Sequence, residues 1–374
     1  MRKTLVIVAA LAVFLGTTKA AAADAKPWLW QCTQIHNVEV QFRCYVRLLR
    51  EDIERSRDPA RELPRIDRRV HAVGGPVAAS CHVLMHQVGR DFARAHRLTL
   101  ATLQRYVPRS NSPNCSAGFG MGLVMYLGPQ ILRSGGASAA ETCERLPTRY
   151  RAYTCVHGLG HALMRAYHGN VGQAVRTCRS LRAAYAADCA QGAFHDYWIS
   201  ARGADGTVKR PHGVISPRIV CDGRLTYVRP CWYRYFLEQP AVRPIRTPAD
   251  LVSFCPRLAP LQRYGCISAA ALTISSNPFD QMAICAGLPA RDAEACVRGV
   301  PSQALAAQPE RQLRLVRTCA RLAAEARSDC YGWLGRTLAV VTNGRFTCTE
   351  LAPRARRYCA TGTRRSGEAL VTFS

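Results

Sequence analysis

Apolar residues in this chain fall into short runs set by cysteines, and they nowhere alternate with polar residues over the length of a strand. In the clearest run, Leu146 lies three residues after Cys143, and Gly158 lies three residues after Cys155. Close variants of this unit recur, with second cysteines at positions 189, 266, 296, 330 and 359. The pattern favours helices and argues against a sheet protein.

The second cysteines recur at a period typical of repeat proteins. They stand at positions 44, 81, 115, 155, 189, 231, 266, 296, 330 and 359, so neighbouring units are 29 to 42 residues apart. We expect each unit to form two short helices joined by a turn, with the second helix beginning near the second cysteine, as at Cys296. Hairpins of this period stack into a solenoid. We therefore predict an all-α fold, a right-handed α-solenoid of about ten helical hairpins, most of them closed by a local disulfide.

The chain has 18 cysteines, an even number that is typical of disulfide-bonded exported proteins. Eight units hold two cysteines 10 to 12 residues apart, which suits a bond between the two helices of one hairpin. Cys81 and Cys115 remain, one repeat apart, and we pair them with each other. The predicted bonds are 32–44, 81–115, 143–155, 178–189, 221–231, 255–266, 285–296, 319–330 and 348–359.

These cysteine-closed units resemble secreted cysteine-rich helical repeats related to the Sel1-like class, in which one disulfide per repeat closes a helical hairpin. The resemblance covers the repeat architecture alone, because the cysteine spacing is longer here and the histidine motifs are foreign to that class. It implies the hairpin fold, and it implies no function and no site residue.

The first 23 residues are typical of a secretory signal peptide. Arg2 and Lys3 form the basic start, Leu5 to Gly16 form the apolar core, and alanines at 20 to 23 form the cleavage site. We expect a periplasmic or secreted protein. Its mature part would be one disulfide-bonded repeat domain over 24–374, with a histidine-bearing half over about 70–205 and plain repeats over about 206–374.

One further apolar run, from Ser116 to Leu132, is interrupted by four glycines and a proline. We predict a buried helix there, and no transmembrane segment after signal cleavage.

The chain is strongly basic, with 51 lysines and arginines against 25 aspartates and glutamates. The arginines are spread across every repeat, whereas a specific nucleic-acid interface concentrates its charge in a patch with aromatic residues. We therefore expect no specific nucleic-acid partner. A protein or a polyanion remains open as a partner.

Histidines supply the candidate chemistry. His82 and His86 follow Cys81, His157 and His161 follow Cys155, and His195 follows Cys189. Two of these sets are H-x-x-x-H, which places both imidazoles on one face of a helix. Equivalent positions of stacked hairpins line one surface, so we predict that the five histidines and Asp196 form one site for zinc, copper or iron. The site would hold either one four-coordinate ion or two ions that share His195 and Asp196. Asp196 would act either as a ligand or by orienting an imidazole.

The glycines near these histidines carry two further expectations. Gly158 and Gly160 would let a ligand or a helix come close, and Gly118, Gly120 and Gly122 would keep the space between the histidines open.

Two functions remain open from the sequence. The first is an exported repeat protein with a polyhistidine transition-metal or haem-like site, with or without metal-dependent catalysis. The second is a metal-free scaffold that binds a protein, peptide or glycan in its groove. No C-x-x-C-H, G-x-S-x-G or P-loop motif is present to indicate covalent haem, serine hydrolysis or phosphate binding.

Overall fold

The computed structural model describes residues 28–56, 58–109, 114–134, 136–200, 217–222, 227–238, 245–306 and 308–365. The expected signal peptide, residues 1–23, lies outside this part of the chain. The described residues form nineteen α-helices and no strand. The all-α prediction is confirmed.

The helices follow one another with short connections. In chain order they are α1 Trp30–Thr33, α2 Val38–Arg55, α3 Pro59–Val73, α4 Gly75–Ala95, α5 Cys115–Tyr126, α6 Gly128–Ser134, α7 Gly136–Glu144, α8 Arg149–Ala166, α9 Val171–Arg179, α10 Ala183–Ser200, α11 Pro217–Cys221, α12 Val228–Glu238, α13 Pro248–Phe254, α14 Pro260–Ile274, α15 Pro278–Ala286, α16 Ala290–Arg298, α17 Pro309–Arg317, α18 Ala324–Val341 and α19 Pro353–Arg364.

Nine disulfides close the helical pairs, and all nine predicted pairings are present. Eight of them join cysteines 10 to 12 residues apart, and the ninth joins Cys81 of α4 to Cys115 of α5. A disulfide between cysteines 10 to 12 residues apart stabilises a hairpin by roughly 2–3 kcal/mol, because it restricts the unfolded chain.

The predicted start of the second helix was wrong by six residues. Helix α16 begins at Ala290 rather than near Cys296, and α8 begins at Arg149, six residues before Cys155. The segment before each second cysteine, which we predicted to be a turn, contains residues that are typical of a helix N-terminus. Thr148 caps α8 by accepting a hydrogen bond from the backbone N–H of Arg151, and Pro260 opens α14 at a position where no N–H is needed. The residues that follow Cys155 therefore lie in the buried middle of an 18-residue helix.

The second helices of successive hairpins form a continuous row. Along the described chain, α2 packs on α4, and then α4, α5, α8, α10, α12, α14, α16, α18 and α19 each contact the next. This row of stacked neighbours is the arrangement that a repeat array requires.

Glycine three residues after the second cysteine sets the spacing in this row. A Cβ on Gly192 would overlap the carbonyl oxygen of His157 in the preceding helix. The same overlap would occur between Gly299 and Ser268 in a later repeat. The prediction that this small residue lets a neighbouring helix come close is confirmed. Because the contact recurs from repeat to repeat, it fixes how far each helix slides along its neighbour.

The apolar run that follows Cys115 forms two helices, α5 and α6, that meet at an angle of 56°. Helix α5 is buried from Cys115 to Met125. Within the described residues, no single helix is both long and apolar enough to cross a bilayer, and the bent α5–α6 pair meets the length and composition test only as a pair.

Candidate metal centre

Four helices of the row supply the side chains of the site. Helix α8 carries His157 and His161, and α10 carries His195 and Asp196. Helix α4 carries His82 and His86, two steps away along the row, because α5 lies between α4 and α8. Helix α12 adds a carboxylate that the sequence analysis did not identify.

The structure brings the rings of the five histidines together. His161 is at the centre, with its ring centroid 5.1 Å from that of His86, 5.2 Å from that of His157 and 4.8 Å from that of His195. The ring of His82 lies 4.7 Å from that of His86 and 6.4 Å from that of His195. Residues from three separate repeats thus share one small volume.

Three of these histidines form a buried triad. His157, His161 and His195 each offer one ring nitrogen, and these atoms lie within 4.8 Å of one another. His157 and His161 are each 1% exposed, and His195 is 6% exposed. Nε2 of His157 and Nδ1 of His195 lie 3.3 Å apart, within hydrogen-bond distance of each other.

Several buried ring nitrogens lack a partner. Among the residues that the structure describes, no hydrogen bond reaches Nε2 of His86, Nδ1 of His157 or Nε2 of His161. A buried polar atom normally has a partner, since leaving it without one costs roughly 1–3 kcal/mol. Unpartnered nitrogens on adjacent imidazoles, together with the close pair of His157 Nε2 and His195 Nδ1, are donors that suit a transition-metal ion, so the residues fit a metal.

Two carboxylates contact the far sides of the triad rings. Oδ1 of Asp196 lies 3.2 Å from Nδ1 of His161, and Oε1 of Glu238 lies 3.4 Å from Nε2 of His195. An ionised carboxylate can only accept a hydrogen bond, so each contact favours the proton on the nitrogen that faces it. The opposite nitrogen of each ring, Nε2 of His161 and Nδ1 of His195, is then the one that can bind a metal, and Nδ1 of His195 lies 3.3 Å from Nε2 of His157.

Glu238 is itself held in place by a cation. Nη1 of Arg234, one helical turn earlier on α12, lies 3.2 Å from the same Oε1 atom. Both side chains are largely buried, at 11% and 12% exposure. The pair fixes the carboxylate against His195.

Burial favours the neutral form of three of the histidines. It lowers the pKa of His86, His157 and His195 well below the usual value of 6.5. The nearby guanidinium of Arg234 lowers the pKa of His157 and His195 further, and His82 does the same for His86. A neutral imidazole is the form that binds metal.

The glycines around the site bring helices into contact. A Cβ on Gly118 would overlap the carbonyl oxygen of His82, and one on Gly122 would overlap that of His86. The prediction that glycines of α5 keep the space between the histidines open was wrong, because the backbone of α4 fills that space. On α8, a Cβ on Gly160 would overlap the carbonyl oxygen of Cys189 in α10. Gly160 therefore allows a neighbouring helix, and not a ligand, to come close. This close packing brings α4 within reach of α8.

The other histidines lie away from the cluster or outside the described residues. His36, His71, His96 and His168 are exposed, and His212 is not in the described part of the chain. The sequence analysis missed Glu238 and Arg234, although one signal was present. Glu238 lies seven residues after Cys231, as Asp196 lies seven residues after Cys189. Counting from the cysteines without requiring histidine would have found it.

Comparison with known proteins found no protein-family model, no curated protein and no solved structure that matches this chain. The assignment of a function therefore depends on the chemistry of the site.

Proposed function

We propose that the protein binds one transition-metal ion through ring nitrogens of His157, His161 and His195. One observation carries the proposal: three buried imidazoles offer ring nitrogens within 4.8 Å of one another, and Nε2 of His161 has no partner among the described residues. A metal-free scaffold would leave Nε2 of His161 and Nε2 of His86 buried without a partner. A bound ion would satisfy them.

One pair of triad nitrogens has the spacing of two ligands on one ion, and all three nitrogens lie within 4.8 Å of one another. Two nitrogens bonded to a tetrahedral ion at about 2.0–2.1 Å are separated by about 3.3–3.4 Å. His157 Nε2 and His195 Nδ1 lie 3.3 Å apart. The third ring, that of His161, has its Nδ1 at Asp196, which leaves Nε2 as its ligand atom.

In this proposal the two carboxylates orient the rings of His161 and His195. Asp196 and Glu238 face the ring nitrogens opposite the ion, so they fix the tautomer of His161 and His195 and raise the basicity of the ligand nitrogen. Asp196 would then contact the ring of a ligand, His161, and would not itself bind the metal. His86 supplies the fourth nitrogen, because its buried Nε2 has no partner in the described structure and its ring adjoins that of His161.

A nitrogen donor set suits zinc, copper or iron in the form of a simple ion. Haem does not fit, since rings whose centroids are 4.8 to 5.5 Å apart leave no room for a macrocycle between them. Four protein ligands close the coordination shell, which is typical of ion binding rather than of catalysis. We therefore infer that the protein holds or delivers a metal ion.

The location of this function follows from the disulfides. Nine intramolecular disulfides indicate an oxidising environment, such as the periplasm or the outside of a cell. Export by cleavage of residues 1–23 is the route that we propose.

Titration of the metal-free protein with cobalt(II), followed by absorption spectroscopy, tests the proposal. Wild-type protein should bind about one ion per chain with the strong visible bands of a four-coordinate site. His161→Gln should weaken binding severely, whereas His71→Gln, an exposed control on α3, should bind as wild type does. Equal binding by the His161→Gln variant would contradict the proposal, and so would the absence of binding to the wild type.

A further inference from the structure

The five histidines differ in their access to solvent. His82 is partly exposed, and its neighbour Val83 is 40% exposed, so this part of α4 reaches the surface. His86, one turn further along α4, is 7% exposed. The triad behind it is more deeply buried, with His157 and His161 each 1% exposed. The histidine cluster therefore forms a line that leads from the surface to the interior.

Neighbouring histidines along this line are close enough to share an ion. Imidazoles on one tetrahedral ion with bonds of about 2 Å have ring centroids about 5 Å apart. The centroids of His82 and His86 are 4.7 Å apart, and those of His86 and His161 are 5.1 Å apart. His86 can thus share an ion with the histidine on either side of it.

We propose that His82 and His86 form an outer metal site, which captures a hydrated divalent transition-metal ion and passes it to the buried triad. The proposal rests on the function proposed above. Transfer is a ligand exchange without any change of oxidation state. Water molecules leave when the outer pair binds, His86 remains bound, and the triad nitrogens replace His82 and the remaining water.

The alternative of two ions held side by side is disfavoured by charge. Among the residues that the structure describes, Asp196 and Glu238 are the carboxylates in contact with the triad rings, and each contacts the nitrogen opposite the ligand nitrogen. Two dications about 5 Å apart would repel each other strongly in a buried site without a bridging anion. The ion therefore occupies the outer and the inner position in turn, and the stoichiometry stays at one ion per chain.

Side-chain movement is sufficient for the transfer. The backbones of α4 and α5 are in contact at Gly118 and Gly122, which fixes the helix that carries His82 and His86. Rotation of imidazoles about their side-chain bonds is the only motion required.

Stopped-flow mixing of the full-length metal-free protein with cobalt(II) tests the proposal. Wild-type loading should reach a limiting rate as cobalt increases, because capture precedes transfer. His82→Gln should slow loading at low cobalt by about tenfold and remove the saturation, while final occupancy stays within about twofold of wild type. His71→Gln is the matched control, an exposed histidine on α3 that should load as wild type does.

The outcomes separate the two proposals. Loading of His82→Gln at the wild-type rate would overturn the outer site, and so would a loss of final occupancy, which would make His82 a ligand of the inner site. If the wild type binds no cobalt, or if His161→Gln binds as well as the wild type, then the function proposed above fails. Circular dichroism of each variant confirms that the helices are intact.

Discussion

The carboxylate of Asp196 accepts a hydrogen bond from Nδ1 of His161 at 3.2 Å, and this contact leaves Nε2 of the same ring pointing away with no protein partner among the described residues. The two residues come from adjacent helices of the row, α8 and α10. The contact defines the tautomer of His161, and with it the atom that faces the ion.

The first prediction concerns this contact. Asp196→Asn should weaken metal affinity by about 10- to 100-fold, because the amide no longer holds the ring as a charged acceptor does. Glu238→Gln should have an effect of the same order through His195. Competition with a chelating indicator dye measures both affinities.

An exposed carboxylate serves as the control for this prediction. Glu39 on α2, 62% exposed at its side chain, pairs only with Arg43 of the same helix among the contacts seen in the described residues. Glu39→Gln should leave the affinity unchanged. Wild-type affinity in the Asp196→Asn variant would show that the carboxylate does not orient a ligand.

The second prediction concerns helix spacing. Gly192→Ala should destabilise the protein by about 1–3 kcal/mol or more, because the added methyl group overlaps the carbonyl oxygen of His157 and forces α10 away from α8. It should also weaken metal binding, since His195 moves with α10. Urea denaturation and metal titration measure the two effects.

Gly172→Ala on α9 is the matched control. A Cβ there would be 3.4 Å from a side-chain oxygen of Asn170, an ordinary contact, and the helical position should favour alanine by up to about 1 kcal/mol. Equal stability of Gly192→Ala and Gly172→Ala would contradict the close approach of α8 and α10 at Gly192.

The third prediction separates the roles of disulfides and metal. Removal of the ion with a chelator should leave the helical circular dichroism unchanged, because the hairpins are closed by covalent bonds. Replacing Cys319 and Cys330 together with alanine should lower the free energy of unfolding by roughly 2–3 kcal/mol and leave metal binding intact. Loss of helix on chelation would contradict this division.

The fourth prediction concerns pH. The pKa values of His86, His157 and His195 are lowered in the folded state, so below about pH 6.5 the unfolded chain binds protons that the folded chain does not. The free energy of unfolding of the metal-free protein should be constant above about pH 7.5 and fall as the pH drops below 6.5, by up to about 1.4 kcal/mol per pH unit for each histidine.

Urea denaturation at a series of pH values checks this dependence. His157→Gln removes one of the three groups and should reduce the slope. A stability that rises as the pH falls from 7 to 5 would have the wrong sign for buried neutral histidines.

Much of this fold could be predicted because the cysteines mark equivalent positions. A bond such as Cys178–Cys189 needs only the spacing of two residues within one hairpin, and the helical period follows from the units. The start of the second helix was misplaced, since Pro260 can belong to a turn or to the first position of a helix, and only the packing decides between them.

The site could be predicted only in part, for a related reason. The i,i+4 spacing places His157 and His161 on one face, but the separation between α4 and α8 depends on how closely α5 packs between them. That separation is set by Gly118 and Gly122 against the backbone of α4, a contact between repeats that spacing along the chain does not reveal. Glu238 was missed because its repeat has no histidine to draw attention to it.

Elemental analysis of protein produced without a polyhistidine tag tests the central claim most directly. After exposure to zinc, copper or iron(II) and removal of loose ions by desalting, wild-type protein should retain about one ion of at least one of these metals per chain. His157→Gln, His161→Gln and His195→Gln should each lose most of it, while His71→Gln should retain it. A wild-type protein that retains none of the three metals, or triad variants that retain as much as the wild type, would contradict the claim that the buried histidines are a metal site.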